Sequence, residues 1–274
     1  MRLLQALLTP LLPLLLLLTT LALANPSSPR PSLSRRTLAG ISVIDTPIVR
    51  DAQAYAKLHC SPSTYQHVMR TWLFGVYHLS HDALLASKVD LEVHAVGLIL
   101  HDLATNHSLD DPFVSPDRRF EVDSAIAAAD FLRNHPDGKK WHDYRVQRVW
   151  DGIALHAEPK LALYKEPDVF AIYWGNELDF SWDRPGGEKK GVTKEERDRV
   201  LKEFPRPEGE GGGGGPPGVS GFIAWYCKHK PESTYNTWMQ AFGEVLVPGY
   251  SAVGHRVLDG SLAAGGLNMS QYLS

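Results

Sequence analysis

From Ile48 to Phe242 the chain sets apolar residues at three- and four-residue intervals, the repeat that lines one face of a helix. This spacing predicts a first helix over Ile48 to Cys60. Pro62 then falls in the first turn of a longer helix, capped by Ser61 or Ser63 and running to about Leu79. Tyr65, Val68, Met69, Trp72 and Val76 form its apolar face, and His67, Arg70 or Thr71, Phe74 and His78 form a second stripe. A third helix covers Asp90 to Leu103, with Val93, Val96, Leu100 and Leu103 as its buried stripe. His94, Leu98, His101 and Asp102 lie close to another stripe, so this helix delivers an adjacent His and Asp at its polar end.

A polar loop with Pro112 and Pro116 follows. Arg118-Arg119-Phe120-Glu121-Val122-Asp123 opens a fourth helix that continues through alanine-rich text to Leu132 and breaks at Pro136-Asp137-Gly138. Asp143 to His156 reads as a fifth, in which Val146, Val149, Trp150 and Ile153 place His156 on or near the inward face. Pro167 starts a sixth that reaches Phe180, with Val169, Ile172, Tyr173, Asn176 and Asp179 on its core face. Thr193-Lys194-Glu195-Glu196 has the pattern of a capping box and opens a solvated helix to Phe204. Helix signals return at Phe222 to Lys228 and Ser233 to Phe242. No alternating run predicts a sheet, no internal repeat is present, and the expected fold class is all-α.

The flanks have a different character. Arg2 precedes a leucine-dominated run closed by Ala22-Leu23-Ala24, which predicts a secretory signal peptide over residues 1–24; a retained membrane anchor is the alternative. Residues 25–40, rich in Pro and Ser and carrying the dibasic Arg35-Arg36, read as a disordered pro-segment or linker. Residues 41–260 are expected to form one helical domain, with a glycine-rich insertion over 205–218 and a loose tail over 261–274.

The whole chain carries 28 basic and 31 acidic side chains, and loss of residues 1–36 removes four arginines and no acids. The absence of a basic stripe argues against nucleic acid as a partner, and removal of the signal leaves no reason to expect a membrane. Only two cysteines are present, Cys60 and Cys227. In a secreted chain they either form a disulfide worth roughly 5 kcal/mol in the chain-entropy view or serve as two small buried hydrophobes. Asn106-His107-Ser108 and Asn268-Met269-Ser270 are sequons that the secretory route would expose to glycosylation.

The chemistry-bearing residues are His67, His101 with Asp102, and Asp179, placed on three separate helices. A buried aspartate without a partner is costly, so burial of Asp102 asks for a metal or for hydrogen bonds. This order of ligands, together with His67-Val68-Met69-Arg70-Thr71, Leu100-His101-Asp102-Leu103, Arg119-Phe120-Glu121-Val122-Asp123, Trp150-Asp151-Gly152-Ile153-Ala154-Leu155-His156 and Glu177-Leu178-Asp179-Phe180, resembles the HD-domain metallohydrolases, and within them the cyanamide hydratase type. The resemblance covers about residues 45–185 and is thin beyond. It implies a helical bundle holding one divalent metal through His67, His101, Asp102 and Asp179, with zinc first and iron or manganese as alternatives. It further implies that a water activated by the metal attacks a small nitrile-type substrate, cyanamide giving urea, with His156 and Glu121 orienting or protonating groups.

A phosphohydrolase using the same site is the second reading, in which Arg70, Arg118 and Arg119 meet a phosphate. Leu103-Ala104-Thr105 after the His-Asp pair departs from the small residue and lysine common in that branch. The third is a secreted binding protein whose site has lost its chemistry. His81-Asp82 repeats the dipeptide without an apolar lead-in, and reads as a helix-end pair.

Overall fold

Ser, Asp, Thr and Pro residues at the helix starts cut the apolar pattern into short rods. The computed structural model describes residues 33–181, 191–206 and 219–264. An antiparallel hairpin of β1 (Arg35–Leu38) and β2 (Ile41–Ile44) comes first, with Arg35 opposite Ile44 and Leu38 opposite Ile41. Its two-residue turn holds Ala39 at φ 48° and Gly40 at φ 77°, a left-handed pair that matches the twist of the flanking strands. The helices are α1 (Pro47–His59), α2 (Pro62–His81), α3 (Ala83–Ala86), α4 (Leu91–Leu100), α5 (Phe120–Asn134), α6 (Asp143–Ala154), α7 (Pro159–Ala162), α8 (Pro167–Ser181), α9 (Lys194–Glu203), α10 (Val219–His229), α11 (Gln240–Leu246) and α12 (Val257–Ala263). The architecture is all-α, as the periodicity predicts.

Local chemistry starts the helices where the sequence places them. Ser61 accepts from the Thr64 amide at 3.1 Å and Pro62 occupies the first turn of α2. Asp90 caps α4 by accepting from the amides of Glu92 and Val93. The expected capping box of Thr193 and Glu196 opens α9.

Every residue from Val93 to Leu100 is buried, so α4 is the central rod, enclosed by α1, α2, α5, α6 and α8. Glycines let the rods approach. A Cβ added at Gly97 on α4 or at Gly152 on α6 would lie 2.4 Å from Cδ1 of Ile172 on α8, so one isoleucine wedges three helices together. The consequence is functional geometry: the C-terminal end of α4, the early turns of α2, the residues just after α6 and the last turns of α8 meet at one end of the bundle.

A second apolar cluster, Phe120, Ile223, Tyr226, Cys227 and Met239, joins residues 219–264 to the start of α5. The Tyr226 hydroxyl donates to the carbonyl of Ala104, and the buried Lys230 ammonium donates to the Arg118 carbonyl at 2.8 Å and to Asp123 at 3.3 Å.

Several expectations change. Residues 35–38 form a paired strand where a disordered linker was expected, because Val43 and Ile44 of β2 bury and Arg36 is tied to Gln53 and Asp45. Two four-residue strands are too short to show alternation in the sequence. Cys60 and Cys227 are both free. Cys60 sits half-buried against the backbone carbonyl of Asp102, whereas Cys227 packs in the second cluster. The expected signal peptide over 1–24, residues 207–218 of the insertion expected over 205–218, the Asn268 sequon and residues 265–274 of the tail expected over 261–274 lie outside the described residues. Among the described residues no helix is long and apolar enough to cross a membrane.

Candidate metal centre

His67, in the second turn of α2, and His101, at the C-cap of α4, bring their Nε2 atoms to 3.2 Å of each other. Asp102 Oδ2 lies 3.5 Å from the first and 3.4 Å from the second. His156, which follows the end of α6, directs its Nε2 to 3.9 Å from Asp102 Oδ1, with its ring centroid 4.7 Å from that of His101. The ligand atoms of His67, His101 and Asp102 all fall within 4.8 Å of one another, so these three can hold a metal ion.

The other ring nitrogens settle the state of these imidazoles. His101 Nδ1 is 2.7 Å from the Leu98 carbonyl and His156 Nδ1 is 2.6 Å from the Ile153 carbonyl. His67 Nδ1 is 2.7 Å from Asp179 Oδ2. Each partner can only accept, so Nδ1 carries the proton and donates, and a ring in its neutral form is left with a lone pair on Nε2. With the rings neutral, three imidazole lone pairs and a carboxylate face one another with no donor between them among the described residues. That arrangement repels itself until a cation enters.

A proton on His101 or His156 is a poor candidate for that cation at neutral pH. Burial pushes the His101 imidazole down to about 3, with Asp102 only partly offsetting it, and burial lowers His156 as well. Neutral imidazoles and an ionised carboxylate are the protonation states metal binding requires. Cys60, whose sulfur neighbours the Asp102 carbonyl, is pushed up to about 12, first by burial and then by the charges of Asp102 and Asp111. It stays a thiol, not a thiolate ligand.

The structure places Asp179 behind His67, one hydrogen bond out from the three-residue group, where the sequence expectation put it among the ligands. Its oxygens are taken by His67 Nδ1, by Arg70 through Nε and Nη2, and by Arg206 Nη2 at 2.9 Å. Arg206 also donates to the Asp179 backbone carbonyl, and Arg70 Nη1 to that of Pro205 at 3.2 Å. Burial acts to raise this carboxyl, but Arg70 and His67 hold it well below the usual range. A carboxylate on the far nitrogen of a ligating histidine fixes the ring and raises its basicity.

Glu121 also stands apart from the cluster. It is fully buried, bonded to Arg119 and to the Trp238 indole at 2.9 Å, and Arg119 reaches on to Glu158. His81 and Asp82 behave as a helix-end pair: His81 meets Glu196 at 2.9 Å and Asp82 caps α3 by accepting from the Leu85 amide. Asn106 gives its side-chain amide to the His59 carbonyl at 2.8 Å and to Asp111 at 2.6 Å, so a glycan on that nitrogen would displace contacts the fold already makes.

Sequence reasoning missed the walls and the clamp. Phe180 lies 5.1 Å from the His67 ring and Phe120 lies 5.6 Å from the His156 ring, between centroids. Asp179 and Phe180 are adjacent, so a closer reading of the end of α8 could have found the first. Arg206 gives no local signal. The side chains of His67 and Asp102 keep 13% and 14% exposure, so part of each ligand side chain is in contact with solvent. A surface groove of about 520 Å³ between α1 and α5 is lined by Asp51, Tyr55, Leu58, Phe131 and His135, and none of the expected site residues borders it. No protein-family model matches the chain, and no curated protein matches it significantly.

Proposed function

We propose that this protein is a metal-dependent hydratase of the HD-domain type, acting on a small uncharged nitrile such as cyanamide to give urea. The observation that carries the reading is the set of Nε2 lone pairs of His67, His101 and His156 gathered around the Asp102 carboxylate without a donor. Two imidazoles and a carboxylate suit zinc first, with iron or manganese as alternatives. Bound there, the cation would supply Lewis acidity that makes water a usable nucleophile near neutral pH.

The chain's own residues do the rest. The Leu98 carbonyl fixes the ring of His101, and Asp179, braced by Arg70 and Arg206, fixes that of His67. His156 keeps an unprotonated Nε2 beside Asp102, in position to take the water's proton as its oxygen bonds to the nitrile carbon and return that proton to the nitrile nitrogen. Tautomerisation then gives the amide. Phe120 and Phe180 make apolar walls, which favour an uncharged substrate over one that must be desolvated with its charge. The arginines a phosphoester would need are already engaged: Arg70 with Asp179, Arg118 with Asp123, and Arg119 with Glu121 and Glu158. Those pairs disfavour the phosphohydrolase alternative.

The test is elemental analysis of the purified mature protein and of Asp102→Asn and Asp179→Asn, beside assays for urea formation from cyanamide. We expect roughly one transition metal per chain in the unaltered protein. Asp102→Asn should lose both metal and turnover. Asp179→Asn should still bind metal, with affinity about ten- to a hundredfold weaker in competition with a chelator. Protein that holds no metal and takes up none when it is supplied would sink the reading. Metal without turnover of nitriles would leave a binding protein with a structural metal.

A further inference from the structure

Asn176 lies on α8, and its side-chain amide is only half used. Its Nδ2 donates to the backbone carbonyl of His156 at 3.3 Å. A carbonyl can only accept, so the nitrogen must be the atom that faces it, and the amide cannot be turned the other way. Its Oδ1 is therefore left as a free acceptor, buried and with no partner among the described residues, on a side chain only 8% exposed. Buried acceptors are normally satisfied, and one without a donor asks for an explanation.

The position supplies it. One turn earlier, Ile172 of α8 packs against Gly152 of α6, and one turn later in both segments Asn176 meets His156. Three and four residues beyond Asn176 come Asp179 and Phe180, both in contact with His67. Residues at this spacing share a helix face. Asn176 thus sits on the face of α8 that borders the metal centre, between His156 on one side and the contacts to His67 on the other.

We propose that Oδ1 of Asn176 accepts an N–H from the substrate, so that the site selects nitriles carrying an adjacent amine over nitriles that lack one. This rests on the hydratase reading and narrows its substrate class. Cyanamide has both parts, an electrophilic carbon for the water and an amine to donate. A dialkylated cyanamide keeps the electrophile but offers no donor, and binding it leaves the acceptor buried and unpaired. Sites built around such a bond discriminate strongly against analogues that lack it.

The test measures kcat/KM of the metal-loaded protein for cyanamide and for dimethylcyanamide, in the unaltered chain and in Asn176→Ala. The expected result is a cyanamide preference that falls about tenfold or more in the variant. A preference that does not change, including equal losses on both compounds, overturns the proposal, because a residue that merely held His156 would weaken both alike. A readout that needs neither turnover nor a stable variant is the NMR signal of the Asn176 side-chain amide during titration of the unaltered protein with urea and with tetramethylurea. A shift with urea alone supports the assignment, whereas equal shifts or none overturn it. If neither cyanamide is hydrated but urea alone shifts the amide, the hydratase reading fails and the acceptor stands.

Discussion

His94 shows what burial does to a single titrating side chain when nothing compensates it. The residue is 1% exposed in α4, its Nε2 has no hydrogen-bond partner among the described residues, and burial, aided by the charge of His78, pushes its imidazole down to about 3. The unfolded chain binds a proton at the ordinary histidine value near 6.5, whereas the folded chain does not until about 3. Stability from this residue is therefore complete above pH about 6.5 and is lost as pH falls toward 3, at up to about 1.4 kcal/mol per pH unit. In urea titrations at several pH values, His94→Leu should lose less stability than the unaltered protein over that window, and the difference should be flat above neutrality. Parallel curves throughout would mean that His94 takes up its proton in the folded state. His101 is pushed down to the same degree, but its Nε2 points at other lone pairs and not into apolar packing. Both histidines are visible in the sequence as members of one helix. Only their surroundings separate a structural ring from a ligand.

At the scale of elements, the wedge formed by Ile172 governs how closely the rods pack. Gly97→Ala would normally favour a helix, yet its new methyl would meet Ile172 Cδ1, which already fills the space a side chain at Gly97 or Gly152 would need. We expect denaturant unfolding to show a loss of about 1–3 kcal/mol for Gly97→Ala, with partial recovery when Ile172→Val removes that carbon. An unchanged midpoint would show that the wedge has room to move. Elements of this kind differ in how readable they are. The starts of α2, α4 and α9 are legible because Ser61, Asp90 and Thr193 cap within three residues of themselves. The hairpin and the four-residue α3 and α7 are not, since they are shorter than the period that would reveal them and are held by contacts from elsewhere.

For the whole molecule, the decisive contacts are those that bring residues 219–264 back to the start of α5. Lys230 and Asp123 are buried together, and Asp123 also accepts from Arg118 and from Ser115. Burial lowers the Lys230 ammonium while Asp123 pulls it back. Lys230→Met leaves the carboxylate in place with part of its charge unanswered. We expect a loss near the lower end of the 3–5 kcal/mol typical of a broken buried pair, about 3 kcal/mol, because Arg118 remains. Adding Asp123→Asn should recover part of it. A Lys230→Met protein as stable as the original in chemical denaturation would show that this junction contributes little.

The same contacts separate what each level decides. The sequence alone determined the all-α class and the main helix starts, because caps and periodicity act within a few residues; matching motif stretches, not that periodicity, singled out His67, His101, Asp102 and His156 as candidates. Tertiary structure decided which nitrogen of each imidazole faces inward, that Asp179 stands behind His67 between Arg70 and Arg206, and that Glu121 is held by Arg119 and Trp238. Those outcomes depend on partners as distant in the chain as Arg70 is from Asp179 and Glu121 is from Trp238. Hydrogen-bond direction at such a distance is set by which helices meet, and no local repeat carries that information.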